Sequence, residues 1–238
     1  MVATDDFAKL PKLLRRMQTA LGGQMTSFEA MWQSFYRVAC QGTHVGPPPM
    51  PPDYPFYLQI EPTGSSEESE VARFTAALGD TLQGGLITDA VVAKCEAERA
   101  ALWGIRDNME CLAAFAPWKG FDVSLPISRI ESYTESVDRN LRRIFAEPRY
   151  IIVGHLGDGN LHLVVSLGEK TPERTRQVEE AVYRPLVEVS GSISGEHGIG
   201  LEKRDFLHYC RSETEIDVMR QLKALFDPKG ILNAGKVL

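Results

Sequence analysis

One ten-residue stretch constrains this chain most: Gly154-His155-Leu156-Gly157-Asp158-Gly159-Asn160-Leu161-His162-Leu163. Asp-Gly between apolar runs is a strong hairpin signal, because both turn positions favour positive φ. Counting outward from a two-residue turn at Asp158-Gly159 sets Leu156 against Leu161 and His155 against His162. Directly opposed residues share a sheet face, with Cβ atoms about 4.5–5.5 Å apart. Two imidazoles so placed can share one metal ion through bonds of about 2.0–2.1 Å. The leucines then point the other way, into a core. The competing reading is a hairpin with two incidental histidines. It weakens because three of the five histidines fall in this stretch and in the next motif.

That second motif is Ser192-Ile193-Ser194-Gly195-Glu196-His197-Gly198-Ile199-Gly200. It reads as a strand end, a tight turn, then an acid and a histidine flanked by glycine. Gly198 and Gly200 remove side chains where a ligand could approach the backbone. Two histidines and one carboxylate with an open position form a catalytic zinc arrangement. The same donors suit a facial triad for iron, so donor type leaves the metal open. With Glu196 as the third ligand beside His155 and His162, His197 is free to act as a general base. The alternative is a glycine-rich turn carrying a solvated Glu-His pair.

The remaining sequence sets the frame. Its 238 residues suffice for one large domain or two small ones. Net charge is −6 and no basic stripe is present, which argues against nucleic-acid binding. Cys40, Cys95, Cys111 and Cys210 are scattered without a C-x-x-C pair. Reduced thiols in a cytoplasm are therefore expected, not disulfides. No apolar run reaches about 18 residues, so no membrane span is expected. The first residues lack the apolar core of a signal peptide.

Apolar spacing predicts helices over 7–21, to about Cys40, 65–78, 89–108, 128–145, 173–189 and 213–226. Ser65 reads as a helix cap with Glu67 and Glu68 in the first turn. Pro185 should kink or shift the sixth of these helices. Strands are expected over 24–31, 56–61, 121–126 and from Tyr150 into the hairpin. A Pro/Gly-rich loop covers 42–55. The pattern predicts an α+β fold, an antiparallel sheet covered by helices on one face.

At these motifs the chain resembles the C-terminal domain of FAD-linked oxidases of the vanillyl-alcohol oxidase type, most of all D-lactate and D-2-hydroxyglutarate dehydrogenases. The strings that carry the resemblance are GHLGDGNLHL at 154–163, SGSISGEHGIG at 190–200, LWGIRD at 102–107, DVSLPISRI at 122–130 and LFDPKGILNAGKVL at 225–238. They occur in the family's order. The resemblance implies a ferredoxin-like cap with a large antiparallel sheet. It implies that His155, His162 and Glu196 hold a divalent metal, zinc first, with manganese or iron as alternatives. It further implies that His197 takes the hydroxyl proton, that Arg106 contacts a substrate carboxylate, and that Asn233 lies near a flavin ring. The implied reaction passes hydride from C2 of a small 2-hydroxyacid to flavin N5. Arg106 as a solvated helix arginine and Asn233 as a simple turn residue are the competing readings.

Departures bear on the substrate. The D-2-hydroxyglutarate branch has a lysine two residues before the Asp of the DVSLP-like strand, a threonine four residues after the arginine, and an asparagine two residues after the second histidine. Here these are Gly120, Glu110 and Val164. Lys119 is one step away and faces the other side of a strand. A monocarboxylate such as D-lactate, or a related 2-hydroxyacid, fits better than a five-carbon diacid. No G-x-G-x-x-G follows a strand, so the FAD-binding domain or subunit is expected to lie outside residues 1–238. The face that meets it should be exposed and partly apolar, and could also form a homodimer. A non-catalytic metal-binding subunit, or a truncated homologue completing a separate flavoprotein, is the alternative. A metal hydrolase on the same triad is a further one.

Overall fold

The structure is a computed structural model. It describes residues 1–41, 47–64 and 67–238, with only the backbone at 67–68. The expected Ser65 cap and part of the Pro/Gly-rich loop lie outside the described residues.

The chain opens with strand β1 (Val2–Thr4), which the sequence reading missed. A 3-10 turn leads into helix α1 (Leu10–Leu21), which buries Leu10, Leu13, Leu14, Met17 and Leu21 on one side. Gly22 and Gly23 end it at positive φ of 59° and 85°. Then come β2 (Met25–Trp32), α2 (Gln33–Ala39), β3 (Phe56–Pro62) and α3 (Glu67–Gln83). The long helix expected over 89–108 is divided. Its first residues form β4 (Asp89–Ala90), paired with β1, and only Glu96–Arg106 is helical, as α4. The free edge of β1 and the β-branched Val91-Val92 pull this segment into the sheet. Next are β5 (Trp118–Ser124), α5 (Ile130–Ile144), β6 (Tyr150–His155), β7 (Asn160–Ser166), α6 (Pro172–Tyr183) and α7 (Glu213–Phe226). A 3-10 turn over Arg184–Leu186 marks the shift at Pro185.

Among the described residues the strands form one antiparallel seven-stranded sheet, ordered β4-β1-β3-β2-β6-β7-β5. The α+β reading holds, but helices lie on both faces. The main core joins α1, α5 and α6 to Phe28, Ile152, Leu161, Leu163, Phe121 and their row neighbours. A second core on the opposite face joins α2 and α4 to Met31, Tyr57, Ile151 and Val153. Strand alternation explains this: β2 and β6 are apolar on both faces over part of their length.

The hairpin register also differs from expectation. His155 opposes Asn160 and His162 opposes Val153, so the two histidines are diagonal neighbours. The turn spans four residues, Leu156–Gly159, instead of two. The N–H of Leu156 donates to the Phe28 carbonyl at 3.1 Å, and its side chain is fully buried. Burying Leu156 in the core thus shortens both strands. Of the two turn residues only Gly159 has positive φ, at 77°. Asp158 accepts the Asn160 N–H at 2.9 Å. A Cβ on Gly159 would stand 2.1 Å from the Leu125 carbonyl oxygen. Gly159→Ala is therefore expected to lower stability by about 2 kcal/mol or more, read as a shifted urea midpoint at unchanged slope.

Candidate metal and substrate site

The face carrying the second core is built of cross-strand rows. One row runs Gln59, Glu29, His155, Asn160, Ser124. The next runs Met31, Val153, His162, Asp122, and the third Ile151, Val164, Gly120. Polar groups fill the first row, while the third is apolar apart from the bare glycine. The site forms where the first two rows meet.

His155 and His162 stand with ring centroids 5.4 Å apart at 90°. Glu196 reaches them from a loop: its carboxylate lies 3.4 Å from His155 Nε2 and 3.9 Å from His162 Nε2. One donor atom from each of the three lies within 4.8 Å of the others. These donors fit one divalent ion, at a site open to solvent through the half-exposed Glu196. Burial first, and the neighbouring His155 second, lower the pKa of His162. A neutral imidazole offers a lone pair.

Glu29 is a site residue that the sequence reading missed. It is 6% exposed. One carboxylate oxygen lies 2.8 Å from His155 Nδ1, and the other accepts from Arg106 Nε at 3.1 Å and Nη2 at 2.9 Å. A carboxylate on Nδ1 fixes the tautomer that leaves Nε2 free for a metal. Glu29 also anchors Arg106, at the end of α4, with Nη2 3.4 Å from His155 Nε2. Arg106 is thus part of the cluster and not a solvated helix residue. The one sequence signal for Glu29 was an acid inside the otherwise apolar run Phe28 to Met31.

The loop that brings Glu196 is shaped by a second missed residue, Asp122, which is fully buried. It accepts the backbone N–H groups of Gly195, Glu196 and His197 at 2.8–3.1 Å, and the Ser194 hydroxyl at 2.9 Å. Lys203 Nζ lies 3.2 Å away. Burial alone would raise the Asp122 carboxyl. The His197 N–H, the Lys203 cation and the other donors outweigh it and hold the group well below the usual carboxylate range. Gly195 is required because a Cβ there would meet the Asn160 side chain at 2.5 Å. Gly198 and Gly200 have open space around them, and their positive φ of 76° and 54° shapes the turn.

His197 is 66% exposed, with its ring 5.7 Å from that of His162 at 23°. It is the mobile-proton candidate beside the cluster. Lys119 faces the other way, paired with Glu179 at 3.2 Å and Glu202 at 2.7 Å. Asn233 is not brought into the cluster. It sits at φ 47° in the exposed tail, which is tied to the loop after His197 through Val237 N–H to Gly200 and Arg204 to the Gly235 carbonyl.

Glu29→Gln keeps the shape but replaces the charged acceptor of His155. A 10–100-fold loss of metal affinity is expected, measured by competition with a colorimetric zinc chelator. Unchanged affinity would remove Glu29 from the site.

Comparison with known proteins gives a consistent picture. Residues 1–237 match the family described as FAD linked oxidases, C-terminal domain. The mitochondrial D-2-hydroxyglutarate dehydrogenase of Rattus norvegicus is 33% identical over 98% of this chain and 43% of its own. The D-2-hydroxyglutarate dehydrogenase of Stutzerimonas stutzeri (strain A1501) is 30% identical over 100% of this chain and 51% of its own. The chain therefore spans about half the length, or less, of such curated relatives. Among solved structures, p-cresol methylhydroxylase with substrate bound superposes with a TM-score of 0.63 at 12% identity, over 99% of this chain and 51% of that one. This last likeness concerns the fold. The chain belongs to the family of FAD-linked oxidase C-terminal domains.

Proposed function

We propose that this chain is the substrate half of an FAD-linked dehydrogenase that oxidises D-lactate or a related D-2-hydroxyacid to the 2-oxoacid. The observation that carries this reading is the convergence of His155, His162 and Glu196 beside Arg106. The relatives named for D-2-hydroxyglutarate support the 2-hydroxyacid headgroup; Gly120 and Val164, both in the cavity lining, argue against their five-carbon diacid, while Glu110 is exposed and outside that lining.

His155, His162 and Glu196 would hold a divalent metal, zinc first and manganese or iron otherwise, which supplies Lewis-acid polarisation of the hydroxyl. FAD, which a separate domain would hold, would supply the hydride acceptor. Arg106, already oriented by Glu29, faces the substrate carboxylate. His197, exposed beside His162, takes the hydroxyl proton. Asn233 would stand on the flavin side, in the tail tied to Gly200. A cytoplasmic or other reducing setting suits the four unpaired cysteines. No helix among the described residues is long and apolar enough to cross a membrane.

Elemental analysis tests the site. About one metal per chain is expected in the wild type and little in His155→Ala. His197→Ala should keep its metal and, assayed with the FAD-bearing partner and an artificial electron acceptor, lose about 10²–10⁴-fold in kcat. Equal metal content in both variants and wild type, or full activity of His197→Ala, would sink the assignment.

The partner face is argued from α7. None of its residues is buried, and Val218, Leu222, Leu225 and Phe226 form an exposed stripe continued by Ile231 and Leu232, with Phe226 77% exposed. Such a stripe marks an interface. Phe226→Glu is expected to weaken co-purification with the FAD-bearing domain at least tenfold; loss of self-association instead, seen by light scattering, would assign the stripe to a homodimer.

A further inference from the structure

Beside the metal-ligand cluster lies a cavity of about 820 Å³. Strand alternation sorts its lining. On the site face, beyond His155, His162, Glu196, His197 and Arg106, the walls are Val164, Ile151, Val153, Phe35, Met109 and Trp118, with their apolar neighbours. Bare Gly120 forms part of the floor. Of the other charged lining residues, Lys119 and Glu202 meet each other across the β5 edge, where Lys119 also binds Glu179 on α6, and Lys170 is exposed. The apolar wall begins one residue pair, about 7 Å, along the strands from the histidines, at Val153 and Val164.

We infer that the site selects 2-hydroxyacids whose chain beyond C2 is apolar, aliphatic or aromatic, and longer than the methyl of lactate. This rests on the headgroup reading above and adds the tail. A substrate whose hydroxyl and carboxylate lie at the His155–His162–Glu196 cluster and Arg106 must send its side chain along the third row. There it meets Val164, Ile151 and bare Gly120, in a lining whose charged members are Lys119, Lys170 and Glu202. A lactate methyl would leave most of that surface wet, whereas a branched or aromatic chain covers it. A second carboxylate on the third row lies against Val164 and Ile151. Arg106, held by Glu29 and Asp107, is taken by the first carboxylate, and Lys119 is held by two acids, which leaves the exposed Lys170 as the one lining lysine or arginine among the described residues without an ion pair. Leaving such a charge unpaired against apolar walls is unfavourable.

The test is calorimetric titration of the Zn²⁺-loaded chain with glycolate, D-lactate, D-2-hydroxyglutarate, (R)-2-hydroxy-4-methylpentanoate and (R)-3-phenyl-lactate. The last two are expected to bind at least about tenfold tighter than D-lactate, and D-2-hydroxyglutarate no tighter than D-lactate. Val164→Asn should reduce the ratio of methylpentanoate to glycolate affinity several-fold. Equal affinities across tails, or a preference for the diacid, would overturn the tail inference and leave the headgroup reading standing. If glycolate and every other acid fail to bind, the headgroup reading falls and takes this one with it. Abolition of the tail preference by added lumiflavin would give the apolar wall to a flavin ring and overturn the inference as well.

Discussion

The candidate site depends on one buried carboxylate. Asp122 sits at the centre of a strand, in the same row as His162, with no exposure to solvent. A charge there is tolerable only with a full set of donors, and the segment from Ser194 to His197 supplies them by wrapping its backbone around it. Lys203 completes the neutralisation from a later turn. The loop therefore has little freedom to lie elsewhere. Glu196 is aimed at the histidines as a by-product of satisfying Asp122, and His197 is left outward beside them. The His155–His162–Glu196 geometry is the visible end of an electrostatic solution reached one layer deeper.

Glu29 plays the matching part on the other side. It links His155 from β6 with Arg106 from α4, so that the imidazole and the guanidinium share one anchor. Both anchors are buried acids, Glu29 on the inner strand β2 and Asp122 on the edge strand β5, in a sheet whose two faces are covered. Neither would survive in such surroundings without its specific partners.

Much of this was legible from local sequence, and the parts that were not share a cause. The shared sheet face of the two histidines, the Glu196-His197 loop and α7 followed from turn chemistry and apolar spacing, which act over a few residues. The hairpin register did not, because Leu156 is drawn into the core by a hydrogen bond to Phe28, far away in the chain. Nor did the division of the helix expected at 89–108, since only the presence of β1 beside Asp89–Ala90 makes it a strand. Covering of both sheet faces was likewise hidden, for it depends on which helices return across the sheet. Glu29 and Asp122 escaped for the same reason. A lone acid in an apolar strand declares nothing until its partners from other elements are known.

The row arrangement has a consequence for how such a protein can change over generations. The charged groups and the bare apolar positions lie on different rows of the sheet. The acids and histidines of the first two rows are locked to one another by charge, so a change at any of them is felt by the rest. Gly120, Ile151 and Val164 are tied to nothing except shape. Drift at these three positions would reshape the cavity and leave the acid–histidine cluster in place. A lineage built on this sheet could thus remodel one part of the cavity without disturbing the charges of the other.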